Sequence, residues 1–364
     1  MEQRILQTRI ACPENTLAVI RRLQEAGHQA VLAGGCVRDA LLGRTANDWD
    51  VATSALPDQV EALFEKTVAV GKQFGIIVVV LPDGSHCEVA TFRGEGRYLD
   101  GRHPSEIRFV DMEEDVKRRD FTVNALLADP VSGEIYDFTG GLEDLKNGIL
   151  RAVGEPSRRF EEDRLRVLRA IRFAASLGFQ IHPDTVAAIA PALPFLKQCL
   201  SAERIAAETD KMLLCGNSQY AFRMLEETGI LRVLFPELAA CIGVQQPPQF
   251  HPEGDVWQHQ LKLMGALDLI IRKCRRIDSP VPPEERQNHE GALAAAATEE
   301  LRYLAWGALL HDIGKPPTFY QAADRIRFNG HDCVGAKMAK EVMTALKLPG
   351  ALVENAVHLV LNHM

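Results

Sequence analysis

A chain of 364 residues with 46% hydrophobic and 25% charged side chains is long enough for two or three packed domains and has an ordinary globular balance. The 41 Lys and Arg against 49 Asp and Glu leave a net charge of −8, which excludes a broadly basic nucleic-acid coat; any polyanion must meet a local patch. No run approaches the roughly 18 apolar residues of a membrane span, and MEQRILQTRI lacks the order of a secretion signal, so a cytoplasmic location without membrane contact is expected.

From residue 15 to 152 helical and strand periods alternate. Asn15 to His28 reads as an amphipathic helix, Gln29 to Ala33 as a strand ending in Gly34-Gly35, and Trp49 to Thr53 as the next strand. Asp58 to Lys66 reads as a helix, and Gly75 to Leu81 with His86 to Arg93 as a hairpin turning at Pro82-Asp83-Gly84. Beyond Val153-Gly154-Glu155-Pro156 the spacing is helical near 157–177, 183–193, 202–215, 217–228, 255–275, 299–312, 331–346 and 350–361. Ile277 to Glu300, with Pro280, Pro282 and Pro283, reads as an excursion between helices. The expected class is α+β, a mixed head at 1–152 followed by helical parts at 153–245 and 246–364. The eight cysteines are dispersed, with no CxxC, and read as reduced, mostly buried thiols.

Three features of the head carry chemistry. Asp48 and Asp50 at i and i+2 of a strand share a face and can hold one or two hard cations. The amides of Gly34 and Gly35 and the cation of Arg38 suit a triphosphate, and Glu88 on the hairpin can complete the acidic set. Each piece alone is more often a turn or a solvated strand end; their joint order is what informs. Farther along, Asp163, Arg166, Arg169 and Arg172 fall at three-residue steps and form a polar ridge on one helix face.

The order of Gly34-Gly35, Arg38 and Asp48-Trp49-Asp50 resembles the DNA polymerase β superfamily, and within it the class II tRNA nucleotidyltransferases with their bacterial poly(A) polymerase relatives. The resemblance runs from about Ala30 to His363. It implies a polymerase-β-like nucleotidyltransferase head, an all-helical neck and body, and template-independent addition of CMP and AMP from CTP and ATP to a tRNA 3′ end with pyrophosphate release. Mg²⁺ in a two-metal mechanism would be held by Asp48 and Asp50. Arg118-Arg119-Asp120-Phe121-Thr122-Val123-Asn124-Ala125 resembles the second motif, in which Arg119 and Asp120 contact the ribose and Asn124 belongs to the nucleotide site. Asp137-Phe138-Thr139-Gly140-Gly141 resembles the linking motif, with its glycines as a hinge. In the family's template helix, Asp163 and Arg166 would bond the edges of cytosine and adenine, with Arg169 and Arg172 nearer the phosphates. Arg204 and Glu208 resemble a bracing pair in the neck.

Arg93 to Ser105, with three glycines, resembles at full length the loop that moves specificity from C to A, which favours complete CCA addition. A-adding activity beside a separate CC-adding enzyme is the alternative, then a bacterial poly(A) polymerase. More distant readings are a small-molecule nucleotidyltransferase and an HD-domain RNA-binding protein. Leu309-Leu310-His311-Asp312-Ile313-Gly314-Lys315-Pro316 resembles the HD phosphohydrolase signature, with His259 upstream and His331, His358 and His363 downstream. Neutral imidazoles with a carboxylate suit a transition metal at His259, His311 and Asp312. Such sites usually close with a later Asp, and the chain stops within a helical pattern. The expectation is a shortened chain with an incomplete metal site, phosphatase or phosphodiesterase activity being secondary. The sequence gives no oligomeric state.

Overall fold

A computed structural model describes residues 4–46, 48–95, 107–274 and 291–364. They form two compact units, Met1–Asp163 with Gln180–Thr185, and Arg164–Phe179 with Val186–Met364.

The first unit is built on β1 (Arg4–Gln7), α1 (Glu14–Glu25), β2 (Ala30–Ala33), α2 (Gly35–Leu41), β3 (Val51–Thr53), α3 (Pro57–Leu63) and β4 (Thr67–Gly71). It continues through β5 (Ile76–Val80), β6 (His86–Thr91), β7 (Arg93–Glu95), β8 (Ile107–Phe109), α4 (Met112–Lys117), β9 (Leu127–Asp129), β10 (Glu134–Asp137), α5 (Gly141–Asn147) and α6 (Pro156–Glu162). Eight strands form one sheet in the order β1-β10-β9-β2-β3-β6-β5-β4. Within this sheet β3 and β6 pair in parallel, with Val51 opposite Val89, and its other pairings are antiparallel. The β5–β6 hairpin follows from its alternation, since Ile77, Val79, Cys87 and Val89 are buried between more open neighbours. Asp83 closes its turn by accepting from the Ser85 amide at 3.0 Å and hydroxyl at 2.7 Å. β2 is buried throughout, and Val31 and Ala33 join Ala52, Phe92, Met112, Val116 and Leu127 in one core.

The continuous helix expected from 157 to 177 is two. α6 ends at Glu162, Asp163 is extended at φ −144° and ψ 107°, and α7 spans Leu165–Leu177. The two belong to different units, α6 through Arg159, which donates to the Lys117 carbonyl at 3.0 Å, and α7 through its own apolar face. Polar periodicity continues through the break, so the sequence pattern hides it.

In the second unit Asp268 accepts from the Ser218 amide at 2.7 Å and hydroxyl at 2.8 Å, and Asp210 from Arg302 at 2.6 Å and Trp306 at 2.7 Å. These bonds join helices Ser218–Glu227 and Val256–Cys274, and Ala202–Leu213 and Gly291–Leu310. The boundary expected at 245 thus lies inside one compact unit. Helix Gly291–Leu310 takes in the last ten residues of the expected excursion, as its alanines favour; residues 277–290 of that excursion lie outside the described residues. A short hairpin, Tyr320–Gln321 with Ile326–Arg327, was not expected. β7 and β8 pair, while residues 96–105 of the expected specificity loop lie outside the described residues. All eight cysteines are free, and Cys274 and Cys333 are exposed. Among the described residues no helix is long and apolar enough to cross a membrane.

Candidate functional site

β2 delivers the chain into Gly34, whose φ of +78° and ψ of −124° favour glycine. A Cβ there would meet Arg119 Nη1 at 2.9 Å, so this glycine serves both the turn and the approach of the arginine. Two exposed amides were expected. The Gly34 amide donates to the Leu126 carbonyl at 3.0 Å, which leaves Gly35, the first residue of α2, to present its own.

Arg38 is only 7% exposed. Its Nε and Nη2 donate to Asp39 at 2.8 and 2.9 Å and its Nη1 donates to Asn124 Oδ1. Arg38, expected to face phosphate, is thus paired with Asp39 and ties α2 to the second motif. Asn124 passes the chain on, donating to Asp120 Oδ1 at 3.1 Å, and that oxygen also accepts the Phe121 amide at 2.8 Å.

Arg119 is oriented by a residue the motif reading missed. Asp115 accepts from Arg118 Nη2 at 2.9 Å, Arg119 Nη2 at 3.2 Å and the Arg93 amide at 3.1 Å. Burial pushes the Asp115 carboxyl up, but Arg118 and Arg119 outweigh it and hold it below the usual carboxylate range. The available signal was the spacing, since residues three and four apart on a helix are neighbours. Arg119 Nε is buried without a hydrogen-bond partner.

Asp48 and Asp50 precede β3 rather than lying in it, and both are exposed as residues. Asp50 is anchored by its carbonyl, which accepts from the Ala33 amide at 3.0 Å. Extending the parallel register of Val51 with Val89 sets Asp50 beside Glu88. Desolvation raises the Asp50 pKa, Arg119 opposes it and Asp48 adds to it. Glu88 is raised by desolvation, then by Asp50 and Asp48. Asp50 and Glu88, both raised, stand with Asp48 as a donor set whose crowded charge a hard divalent cation would relieve. They are not among the described groups whose three donor atoms lie within 4.8 Å of one another, so any closer grouping would have to form around the ion.

Asp137 gathers the Thr139, Gly140, Gly141 and Leu142 amides at 2.8–3.0 Å. Gly141 packs against the Thr122 carbonyl with no room for a side chain. These glycines serve a pinned turn and a close approach, which is what a plain turn before the next helix requires. Asp163 ends the first unit and Arg166 lies in the second, so the expected four-residue ridge on one helix is reduced to Arg166, Arg169 and Arg172 on α7. Arg166 is 9% exposed. Arg172 Nε donates to Glu208 at 2.5 Å and its guanidinium stacks 3.7 Å from the Phe173 ring centroid, so Arg172 braces α7 against helix Ala202–Leu213.

The second constellation centres on Asp312, 1% exposed. Oδ2 lies 3.2 Å from His311 Nε2, 3.9 Å from His259 Nε2 and 2.7 Å from Lys315 Nζ. Oδ1 lies 3.6 Å from His331 Nε2 and 3.7 Å from His363 Nε2. The centre expected to be incomplete thus gains two imidazoles, while exposed His358 stays outside and bonds Asn362. His311, His331 and His363 each place Nδ1 within 2.7–2.9 Å of a carbonyl three residues earlier. A carbonyl only accepts, so each Nδ1 carries the proton and each Nε2 faces Asp312. His331 and His363 bring their Nε2 atoms to 3.2 Å, and His311 Nε2 is buried without a hydrogen-bond partner, an arrangement that fits a cation between them.

Burial lowers the pKa values of His259 and His331, whereas the nearby Asp312 carboxylate raises that of His363. Against burial, His311, His363 and Lys315 hold Asp312 well below the carboxylate range. A cavity of about 640 Å³ opens over this centre between Phe250, Lys315, Arg325, Arg327 and Phe328.

Comparisons with known proteins agree with this geometry. The family model "Poly A polymerase head domain" matches residues 30–151, "Probable RNA and SrmB- binding site of polymerase A" residues 178–242, and "HD domain" residues 287–364. The CCA-adding enzyme of Bacillus subtilis is 47% identical over 219 residues, 60% of this chain and 54% of the relative; that of Geobacillus thermodenitrificans is 46% identical over 227 residues, 62% of this chain and 55% of the relative. The chain thus spans about half the length of the curated relatives it matches. The structure of a Thermotoga maritima CCA-adding enzyme complexed with tRNA shares the fold at a TM-score of 0.56 and 20% identity, covering 97% of this chain and 80% of that one. The crystal structure of the Bacillus stearothermophilus CCA-adding enzyme in complex with CTP matches at a TM-score of 0.57 and 32% identity over 95% of this chain and 81% of that one. With a relative of that identity covered over four-fifths of its length, and the head and HD models falling in order on the two constellations, the chain belongs to the CCA-adding enzyme and poly A polymerase family.

Proposed function

We propose that the chain adds CMP and AMP, from CTP and ATP, to the 3′ end of tRNA and releases pyrophosphate. The observation that carries this is the convergence of Gly34, Asp50, Glu88 and Arg119 at one end of the head sheet, with Arg38, Asn124 and Asp120 in a single hydrogen-bonded chain beside them. Asp48 and Asp50, with Glu88 next to them, would hold Mg²⁺. The ion supplies activation of the attacking 3′-hydroxyl and stabilisation of the leaving pyrophosphate.

The residues of the chain do the rest. Gly35 presents a backbone amide to phosphate, and Arg119, fixed by Asp115, faces the acids with its buried Nε available to an acceptor. Asp120 and Asn124 would meet the ribose, where a carboxylate waiting for a 2′-hydroxyl rejects a deoxy sugar because the buried acceptor would lose its partner. Asp163 and Arg166 would read the base, with Arg169 beside them. Contacts to the tRNA backbone should make affinity fall with salt.

The test offers tRNAs ending at the discriminator base, at C and at CC to the protein with Mg²⁺ and CTP, ATP or both, resolved on a sequencing gel. Extension of all three to CCA is the expected result. Addition of one A to the CC-ended tRNA alone would make it an A-adding enzyme, and no extension would sink the proposal.

A second activity rests on the Asp312 centre. Four imidazoles and a carboxylate suit Mn²⁺, Ni²⁺ or Zn²⁺, and the cations and aromatic rings over them suit a phosphate ester with a ring attached. Metal-dependent hydrolysis of such an ester is the reading, with 2′,3′-cyclic AMP and Ni²⁺ as the first assay; no turnover with metal bound would remove it.

A further inference from the structure

Of the four imidazoles facing Asp312, three are oriented by backbone and one is not. His311, His331 and His363 donate Nδ1–H to the carbonyls of Ala308, Phe328 and Val360, each three residues back. His259 Nδ1 instead lies 2.6 Å from Glu253 Oε1, in the loop before helix Val256–Cys274. The same oxygen is 3.2 Å from His251 Nδ1, and Oε2 is 3.2 Å from Lys262 Nζ. Glu253's side chain is 12% exposed although it belongs to a surface loop. The loop is itself fixed, because Asp255 accepts from the Gly243 amide at 2.7 Å and the Gln258 amide at 2.8 Å. His259 Nε2 stands 3.9 Å from Asp312 Oδ2, the longest of the four His–Asp312 separations.

We infer that Glu253 is a positioning residue for the Asp312 centre, holding His259 in the tautomer that presents Nε2 and strengthening it as a metal donor through an anionic partner the other three imidazoles lack. The inference rests on the metal reading of that centre. A carboxylate behind an imidazole fixes the ring's direction and makes its far nitrogen a better base, and loss of such a partner weakens metal affinity by roughly 10–100-fold. His259 has the most to gain from it, because its nitrogen has the greatest distance to close. His251, on the same carboxylate and edge-on to His259 at 4.7 Å between ring centroids, keeps Glu253 from swinging to solvent.

The test titrates the full chain with Co²⁺ against a competing chelator, comparing the wild type with Glu253→Gln and Glu253→Ala, and records the visible bands of the bound ion. Glu253→Ala is expected to weaken Co²⁺ binding roughly 10–100-fold. Glu253→Gln keeps an acceptor for His259 but not the charge, so it is expected to weaken binding by about 10-fold and to shift the bands, which report the strength of the donors. A loop tether alone would be preserved by glutamine. Wild-type affinity and an unchanged spectrum in Glu253→Gln, confirmed as folded by its melting curve, would overturn the inference, and this variant decides if Glu253→Ala does not fold. Failure of the wild type to take up Co²⁺ in stoichiometric amount would instead overturn the metal reading beneath it.

Discussion

Replacing Asp115 with asparagine tests whether the head site depends on a carboxylate that never touches substrate. Asp115 is buried and receives two nitrogens of Arg118, one of Arg119 and the Arg93 amide at 2.9–3.2 Å. An asparagine of the same shape keeps one acceptor oxygen and turns an amide nitrogen toward a guanidinium. Hydrogen bonds to charged groups contribute about 1.5–3 kcal/mol each, and both arginine side chains are 21% exposed, so screening trims the sum to roughly 2–4 kcal/mol. At about 2–4 °C per kcal/mol for a unit of this size, the head should melt roughly 4–16 °C lower at pH 7.

The pH dependence fixes the cause. The native Asp115 pKa lies below the ordinary 3.8, so its stabilisation is complete above that value and is lost as pH falls through the lowered one. The gap between wild type and variant should hold from pH 7 to about 5 and close below about 4. Arg119, released from its carboxylate, should also raise KM for the nucleotide in single-addition assays. An Asp115→Asn protein melting within 1 °C (about the error of such a scan) of the wild type at pH 7 would refute the argument.

Asp48→Asn and Asp50→Asn should each cut CMP incorporation by about 100-fold or more, while their exposed positions leave stability within roughly 0.5 kcal/mol; the readouts are radiolabelled CTP and thermal melting. Glu208→Gln should lower the melting point of the helical unit, because Arg172 keeps a neutral acceptor in place of a buried anion, at a cost of about 1.5–3 kcal/mol; an unchanged melting curve would show that Arg172 needs no brace. Gly314→Ala should drive a methyl group into the His331 carbonyl and the Gly335 amide, displace His331 from Asp312 and weaken metal binding, measured by equilibrium dialysis against Zn²⁺.

The hairpin Ile76–Thr91 and its Asp83 turn could be read from the chain because alternation and turn chemistry are local. The break at Asp163 could not, since the pattern of arginines and leucines is the same whether one helix serves one body or two short ones serve two. Asp115 was within reach, one turn before the arginines it holds. Glu253 was not, and of His331, His358 and His363 the chain did not tell which would face Asp312: such partners are set by how helices pack, and residues that meet only in the folded chain leave no spacing rule behind. Arg38 shows the opposite failure. Its ion pair with Asp39 was not foreseen, because a sequence does not tell whether an arginine beside an aspartate spends its charge on that neighbour.

The tie between Arg38 and Asn124 joins residues 86 apart, and Asp39 and Asp120 extend it at either end. Segments exchanged between relatives to build chimaeric enzymes are usually cut in loops, and any single cut from 41 to 118 would take these partners from different parents. Such a hybrid inherits two halves of one polar unit, and their effects would not add. A recombination library of this fold should therefore keep 34–39 and 119–124 together as one heritable block, even though half of the eight-stranded sheet lies between them in the chain.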